Sequence, residues 1–196
     1  QNITWWSPDS PALYDVYGVL TVGGKVIDVN KISTGFRKTE FKGGAAKGGI
    51  YINDKFTYLK GYAPRSVNEW AAVGGAYPDW MSNFDMDLLH SGHGNYIRWM
   101  HISPKPRDSR NCDRVGIVQV CPAGDNEANP SNAQQWNQRV EVMRKSMIYY
   151  RNSPSILFWE AGNAGIPAAR MQQMVDLRKE LDPSGGRVAG CRTLSD

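Results

Sequence analysis

The hydrophobic pattern divides the chain into two parts, and the change comes near residue 80. Before that point, runs rich in aromatic and β-branched residues end at glycines, as in ALYDVYGVLTV before Gly23 and Gly24, which predicts strands. The stretch GGIYINDKFTYLKG has two apolar runs joined through Asn53 and Asp54, which predicts a hairpin turn. This first part shows no helical period.

Strand-like and helical segments alternate after residue 80. The short apolar runs NYIRWMHIS, GIVQVCP, SILFW and RVAGC predict strands. In an earlier segment, Ser82 occupies the position expected of a helix N-cap. The clearest helix has apolar residues at spacings of four, three, four and three, namely Trp136, Val140, Met143, Met147 and Tyr150.

This alternation implies parallel strands joined by right-handed crossovers. Strands that are short, apolar and end in polar clusters favour a (β/α)8 TIM barrel with its chemistry at the carboxyl ends of the strands. A doubly wound sheet is the alternative, but the predicted first strand TYLKG lacks the glycine-rich phosphate turn of that fold. We therefore predict an α/β fold, a partial barrel containing about strands 1–5, after a β-rich module.

Residues 105–114, KPRDSRNCDR, form the densest basic stretch of the chain. The stretch contains its own aspartates and is interpreted as a solvated loop, although the alternation of elements calls for a helix between the flanking strands. In a barrel it would follow the second strand on the active face. Lys105, Arg107 and Arg110 then suggest an acidic ligand, for example one that carries carboxylate or sulfate groups.

The remaining composition narrows the class of protein. The net charge of +4 is spread along the chain and does not call for nucleic acid as a partner. No apolar run reaches about 18 residues, so no membrane span is expected. Cys112, Cys121 and Cys191 lack the spacing of a zinc site, and we expect neither a metal nor a cofactor.

Six segments, in order along nearly the whole chain, resemble glycoside hydrolase family 2. They are WSPDSPALY, GFRKTEF, INDKFTYLKG, GNYIRWMHISP, CDRVGIVQV and YRNSPSILFWEAGNAG. The resemblance implies that residues 1–42 end an immunoglobulin-like β-sandwich and that residues 43–196 form the N-terminal half of a (β/α)8 catalytic barrel. The chain looks cut at both ends, and the rest of its barrel and sandwich domains are its expected partners.

Enzymes of this family cleave β-glycosidic bonds with retention, using two carboxylates about 5–5.5 Å apart. The resemblance places the acid/base glutamate directly after Asn163, where this chain has Ala164. It places the nucleophile beyond Asp196. Asp125 and Glu127, in the loop after the third strand, are candidates for a relocated acid.

Glu160 lies within an apolar strand, where a charge requires a partner. Two interpretations are open: Glu160 pairs with Arg98 on the second strand, which we favour, or it is the relocated acid. Strict alternation would place Glu160 on one face with Phe158 and Ile156, although a bulge would change that count.

The resemblance also indicates residues that bind saccharide. Asn163 matches an asparagine that bonds a sugar hydroxyl beside the scissile bond, and Arg98 and His101 match residues of the second strand. Glu69 and Trp70 follow the first strand, where the sequence departs from the family pattern.

The function that the resemblance implies is a retaining β-glycoside hydrolase, for example a β-galactosidase, that acts in polysaccharide breakdown. With the basic residues Lys105, Arg107 and Arg110 on the active face, the expected polysaccharide is an acidic one, for example one that carries uronate or sulfate. The alternative is a catalytically inactive family member that binds carbohydrate. The resemblance further suggests a bacterial protein of the periplasm or the extracellular space. The 196 residues alone are expected to be inactive.

Overall fold

The computed structural model describes residues 2–43, 48–65, 76–124 and 129–192, together with the backbone of residues 194–195. Glu69, Trp70, Asp125 and Glu127 therefore lie outside the described residues. The elements follow in chain order as β1 (Tyr14–Val22), β2 (Lys25–Thr34), β3 (Thr39–Lys42), β4 (Gly49–Ile52), β5 (Lys55–Phe56), β6 (Gly61–Tyr62), α1 (Asp79–Ser91), β7 (Tyr96–Arg98), α2 (Pro106–Val115), β8 (Val118–Pro122), α3 (Ala133–Tyr150), β9 (Ile156–Glu160), β10 (Ile166–Pro167), α4 (Ala168–Leu181), β11 (Val188–Gly190) and β12 (Leu194–Ser195).

A five-stranded parallel sheet forms the centre of the structure, in the order β11-β9-β8-β7-β6. The helices α1 to α4 connect its successive strands, so the predicted alternation of strands and helices is confirmed. Helix α3 begins where the Asn132 side chain accepts a hydrogen bond from the backbone N–H of Gln135 at 2.9 Å. Its predicted apolar face packs into the largest core cluster. The short strands β10 and β12 form a separate parallel pair.

Residues 105–114 are not a solvated loop, and that prediction is wrong. Residues 106–115 form helix α2, which buries mostly small polar and acidic side chains against the sheet. A buried face of this composition has no apolar period, so the sequence pattern could not reveal it. Cation–π contacts with Tyr77 hold the start of α2. The Lys105 ammonium and the Arg107 guanidinium lie over the Tyr77 ring at 4.4 Å and 4.8 Å from its centroid.

Ser82 is not the N-cap of α1. The helix begins three residues earlier, at Asp79, and Ser82 is fully buried within it. There its hydroxyl donates to Asp108 Oδ1 at 2.8 Å and accepts from Asn111 Nδ2 at 2.9 Å. Its role is therefore to join α1 to α2.

The first part of the chain covers the amino-terminal ends of the parallel strands. The turn between β4 and β5 has Asn53 and Asp54 at φ values of 52° and 66°, which confirms the predicted hairpin. Trp6 is fully buried with Val118 and Leu157, at the start of β8 and within β9. Its indole Nε1 donates to the carbonyl of Asp113 at 2.9 Å.

Strands β1 and β2 form an antiparallel hairpin with a bulge between Leu20 and Thr21. Apolar side chains on both strands, such as Val19, Leu20 and Val26, are more than half exposed. The assignment of residues 1–42 to an immunoglobulin-like domain stays a prediction. The boundary after residue 42 also stays one, and β3 pairs with β4 across it.

A bulge lies between β8 and β9. Gln119 is opposite Ile156 and Val120 is opposite Phe158, so Leu157 is the extra residue. Ile156 consequently packs with the outer helices, whereas Leu157 packs over Trp6. The grouping of Ile156 with Glu160 by strict alternation is therefore wrong, because the bulge lies between them.

Candidate active site

The side chains of the parallel strands line a cavity of about 430 Å³. Tyr96 and Arg98 contribute from β7, Val120 from β8, and Phe158 and Glu160 from β9. The cavity also reaches β11 and the residues just after it, through Val188, Gly190, Cys191 and Arg192. The polar groups of the cavity thus lie towards the carboxyl ends of the strands, where parallel barrels carry their chemistry.

An ion pair crosses the cavity wall from β7 to β9. Arg98 Nε donates to Glu160 Oε2 and Arg98 Nη2 donates to Glu160 Oε1, each at 2.6 Å. The side chains are 19% and 7% exposed. The interpretation of Glu160 as the partner of Arg98 thus agrees with the geometry: both carboxylate oxygens accept from one guanidinium.

Asn163 joins this pair just beyond the end of β9. Its Oδ1 accepts from Arg98 Nη2 at 2.8 Å. The preceding residue is Gly162, where a Cβ would come within 2.8 Å of both Arg139 Nη1 and Ile166 Cδ1. A larger residue at position 162 would therefore displace the ends of these two neighbouring side chains.

The other residues predicted from the sequence lie at different places. Ala164 follows Asn163 directly and is half-buried. His101 lies beyond the end of β7 and is only 3% exposed. Within the described part of the chain, it is not among the side chains that line the cavity.

Tyr96 and Phe158 line the cavity but were not recognised from the sequence. Tyr96 was recoverable, since it is two residues before Arg98 on the same strand and shares its face. Burial raises the pKa of the Tyr96 phenol, while Arg98 opposes the shift. The phenol is therefore neutral at physiological pH and keeps its proton for donation.

No group of three or more metal-binding side chains is found in the described ranges. Helices long and apolar enough to cross a membrane are likewise absent from the part of the chain that the structure describes.

A sheet of parallel strands with crossover helices and a polar cluster at the carboxyl ends is the arrangement found in (β/α)8-barrel proteins. Residues 45–188 match the sequence profile of the glycosyl hydrolases family 2 TIM barrel domain. The chain therefore belongs to glycoside hydrolase family 2, which confirms the resemblance found in the sequence.

Relatives with known names span nearly the whole chain. A β-glucuronidase of Formosa agariphila is 32% identical over 192 residues, which cover 98% of this chain and 19% of that protein. A β-galactosidase of Thermoanaerobacter pseudethanolicus is 29% identical over 162 residues, which cover 81% of this chain and 21% of that protein. The chain thus spans about a fifth of the length of these relatives.

Solved structures show the same similarity. A β-glucuronidase from glycoside hydrolase family 2 superposes with a TM-score of 0.91 at 32% identity, covering 98% of this chain and 20% of that one. A β-glycosidase from Bacteroides vulgatus superposes with a TM-score of 0.82 at 29% identity, covering 96% of this chain and 24% of that one.

Proposed function

We propose that these residues form the first half of the catalytic barrel of a retaining β-glycoside hydrolase that acts in saccharide breakdown. The observation that carries the proposal is the Arg98–Glu160–Asn163 cluster at the carboxyl end of a parallel sheet. The names of the relatives make β-glucuronides and β-galactosides the substrates to test. A uronate substrate would also agree with the acidic saccharide suggested by the sequence, although not through the helix-bound residues 105–114.

The acid/base of this enzyme is proposed to lie away from its usual position, which Ala164 occupies. Glu160 is a poor candidate, because both of its oxygens accept from Arg98 and a general acid needs a proton to give. Asp125 and Glu127 are better candidates. They belong to the segment after β8, the strand hydrogen-bonded to β9. The nucleophile would come from a later strand of the complete polypeptide.

The second candidate function is a family member that binds saccharide without cleaving it. Ala164 is the observation that favours it, since alanine can neither donate nor accept the proton that retention requires. The cavity, Arg98 and Asn163 would then serve binding alone. For either function we propose that the protein acts outside the cytoplasm, in the periplasm or beyond the cell, joined to the rest of its barrel and sandwich domains.

The test uses the complete polypeptide that carries this segment and two types of substrate. A p-nitrophenyl glycoside has a leaving group that departs without protonation, whereas an alkyl glycoside needs a general acid, whose contribution is about 10²–10⁴ in rate. We expect turnover of both types. We expect Glu127→Gln or Asp125→Asn to slow the alkyl reaction far more than the p-nitrophenyl reaction, which needs no general acid in its first step and loses only the general base of its second step, the hydrolysis of the glycosyl-enzyme. If the wild type cleaves only the p-nitrophenyl glycoside, the acid is missing, and Ala164→Glu should restore alkyl turnover. Saccharide binding without any turnover would support the second candidate.

A further inference from the structure

A second cavity, of about 550 Å³, lies at the amino-terminal ends of β6 and β7. Its walls are the residues just before these two strands, the hairpin of β4 and β5, and the end of α1. The candidate active site faces the opposite, carboxyl ends of the strands, and the two cavities share no lining residue among those the structure describes. The basic and aromatic side chains of this amino-terminal cavity are Lys55, Phe56, Tyr58, Lys60, His90 and His93.

Most basic side chains of the amino-terminal cavity have no partner among the described residues. The side chains of Lys60, His90 and His93 make no hydrogen bond or ion pair within that part of the chain. Lys55 pairs with Asp9 at 2.5 Å, but these two side chains are 74% and 75% exposed. Water screens an ion pair that is so exposed, and the ammonium can take a second anionic partner. The cavity therefore offers positive charge and N–H donors to an anionic ligand.

Hydrogen bonds within the protein order the backbone that carries these side chains. The Asn95 side chain accepts from the N–H of Lys60 at 2.8 Å and donates to the carbonyl of Tyr58 at 2.9 Å. The N–H of His93 donates to the carbonyl of His90 at 2.9 Å. His93 also has a φ of 60°, a left-handed conformation that few residues other than glycine adopt. A ligand would therefore meet an ordered backbone and would not have to order it.

Two aromatic rings add an apolar face to the amino-terminal cavity. Phe56 and Tyr58 are 51% and 67% exposed. The Phe56 ring packs edge-on against Tyr51 with 5.7 Å between the ring centroids. The Tyr58 hydroxyl makes no hydrogen bond to the rest of the described chain. Exposed rings beside hydrogen-bonding groups suit a ligand with an apolar face and a polar edge, and a sugar ring has both.

We propose that the amino-terminal cavity is a second saccharide site, in which Lys60 and the imidazoles of His90 and His93 bind an acidic group and Tyr58 stacks on a sugar ring. The acidic group is a uronate carboxylate or a sulfate ester, and both present anionic oxygens that accept hydrogen bonds. The choice of a saccharide rests on the proposed function, whereas the anionic character of the ligand rests on the cavity alone. The site holds a long acidic substrate on the protein and takes no part in bond cleavage.

The first test removes two basic groups from the complete polypeptide that carries this segment. Lys60→Gln with His93→Gln keeps polar side chains but removes the ammonium and an imidazole. The ligands are a galacturonate tetrasaccharide and a sulfated galactose tetrasaccharide, titrated by calorimetry while a monosaccharide thioglycoside fills the active site. We expect the affinity for at least one of them to fall by roughly tenfold. The tetrasaccharide that shows the loss identifies the acidic group.

The matched control for this test is Lys25→Gln with Lys145→Gln. Both lysines are exposed and lie outside the amino-terminal cavity, so this change should leave the affinities within about twofold. An equal loss in the control would overturn the proposal, because the effect would then belong to the net charge of the protein. A neutral galactose tetrasaccharide that binds the wild type as tightly as the acidic ones would also overturn it.

The second test asks whether the ligand is a saccharide or only an anion. We expect Tyr58→Ala to lower the affinity for the acidic tetrasaccharide by roughly fivefold and to leave the affinity for inorganic sulfate unchanged. Tyr149→Ala is the control, because the Tyr149 ring is 63% exposed on α3, and it should change neither affinity. Binding of sulfate without the tetrasaccharide would overturn the saccharide assignment. Equally tight binding of a hexaglutamate peptide would do the same.

The third test separates this inference from the proposed function. The variant with Lys60→Gln and His93→Gln should hydrolyse a p-nitrophenyl glycoside at the wild-type rate, because neither residue lines the candidate active site. On an acidic polymer its KM should rise and its kcat should stay the same. A wild type that binds the acidic tetrasaccharide through Lys60 and His93 but hydrolyses no glycoside would refute the proposed function alone. Normal hydrolysis together with tetrasaccharide affinity that is independent of these residues would refute this inference alone.

Discussion

Arg37 is a single residue that ties the first part of the chain to the barrel strands. Its guanidinium donates to three backbone carbonyls, those of Pro154 at 2.5 Å, Ile156 at 2.7 Å and Gly185 at 2.9 Å. Burial, together with the neighbouring Arg187, lowers the pKa of Arg37 to about 9. Such a charge is tolerated because its donors are matched to carbonyl oxygens.

Replacing Arg37 with lysine should destabilise the complete protein by about 2 kcal/mol. A single ammonium cannot reach carbonyls that lie around a planar fork, so at least one buried acceptor loses its donor. Denaturant unfolding measures the loss. Arg110→Lys, on the exposed side of α2, is the control, and an equal loss in both variants would show that the fork geometry of Arg37 is unimportant.

Asp113 gives a pH-dependent prediction at the same scale. Its Oδ1 accepts from the hydroxyl of Ser153 and from the N–H and hydroxyl of Ser155. Burial raises its pKa to about 6 from an ordinary value of 3.8, more than these hydrogen bonds lower it. The folded protein therefore binds this proton more tightly than the unfolded chain does. The resulting stability is present below 3.8 and is lost as the pH rises through about 6.

Asp113→Asn cannot ionise, so it removes this dependence. Relative to that variant, the free energy of unfolding of the wild type should fall by about 2 kcal/mol between pH 4 and pH 7. Chemical denaturation at several pH values measures the difference. Parallel stability curves for the two proteins would contradict the assigned pKa.

The sequence could predict some individual residues better than others. Glu160 was a charge in an apolar strand, which requires a partner, and Arg98 was the available cation on a neighbouring strand; the pair follows from the cost of burying a charge. The burial of His101 could not be predicted in this way. Its position depends on how the backbone leaves β7, which local sequence does not determine.

At the scale of elements, periodic apolar segments were predicted correctly and polar ones were not. Helix α3 has an apolar face and was recognised, whereas α2 buries Asp108, Asn111 and Asp113. The burial of α2 depends on hydrogen bonds to residues far along the chain, such as Tyr77 and Ser153. The sequence of a single segment does not reveal hydrogen-bond partners that lie far away in the chain.

The structure of α2 changes the expectation for its basic residues. Lys105 and Arg107 lie against Tyr77, and Arg110 is on the exposed face. Replacing all three with glutamine should leave the affinity for acidic oligosaccharides within about twofold, while the loss of two cation–π contacts costs about 1 kcal/mol of stability. Calorimetric titration and thermal unfolding measure the two effects. A tenfold loss of affinity would contradict this prediction and show that these residues contribute to ligand binding.

At the scale of the whole molecule, the described part of the chain includes two exposed apolar surfaces. One is the β1–β2 hairpin, and the other is a stripe on α1 formed by Trp80, Phe84 and Leu88, which are 66%, 56% and 58% exposed. Residues four apart lie on one helix face. The sheet also has β6 at its edge, with pairing to β7 alone among the described strands. Surfaces of this kind favour association with other protein.

The 196-residue chain, prepared alone, should therefore self-associate and hydrolyse no glycoside. Size-exclusion chromatography and assays with p-nitrophenyl glycosides test the two parts. Changing Trp80, Phe84 and Leu88 to lysine or glutamate should reduce association. Measurable turnover by a monomeric 196-residue chain would contradict the requirement for the rest of the barrel.

The barrel class was predictable at this scale because the alternation of strands and helices is a property of the entire chain. The bulge at Leu157 and the packing of the first part beneath the strands were not. Both depend on contacts between segments far apart in the sequence.

Trp6 has a consequence for the order in which the molecule is made. Its indole bonds a carbonyl 107 residues later in the chain, and it lies beneath strands that are synthesised after it. During translation the indole cannot make its native contacts until β8 and β9 have left the ribosome. The residues that cover the amino-terminal ends of the strands are thus made first but packed last. Contacts between residues so far apart in the sequence are expected to slow folding.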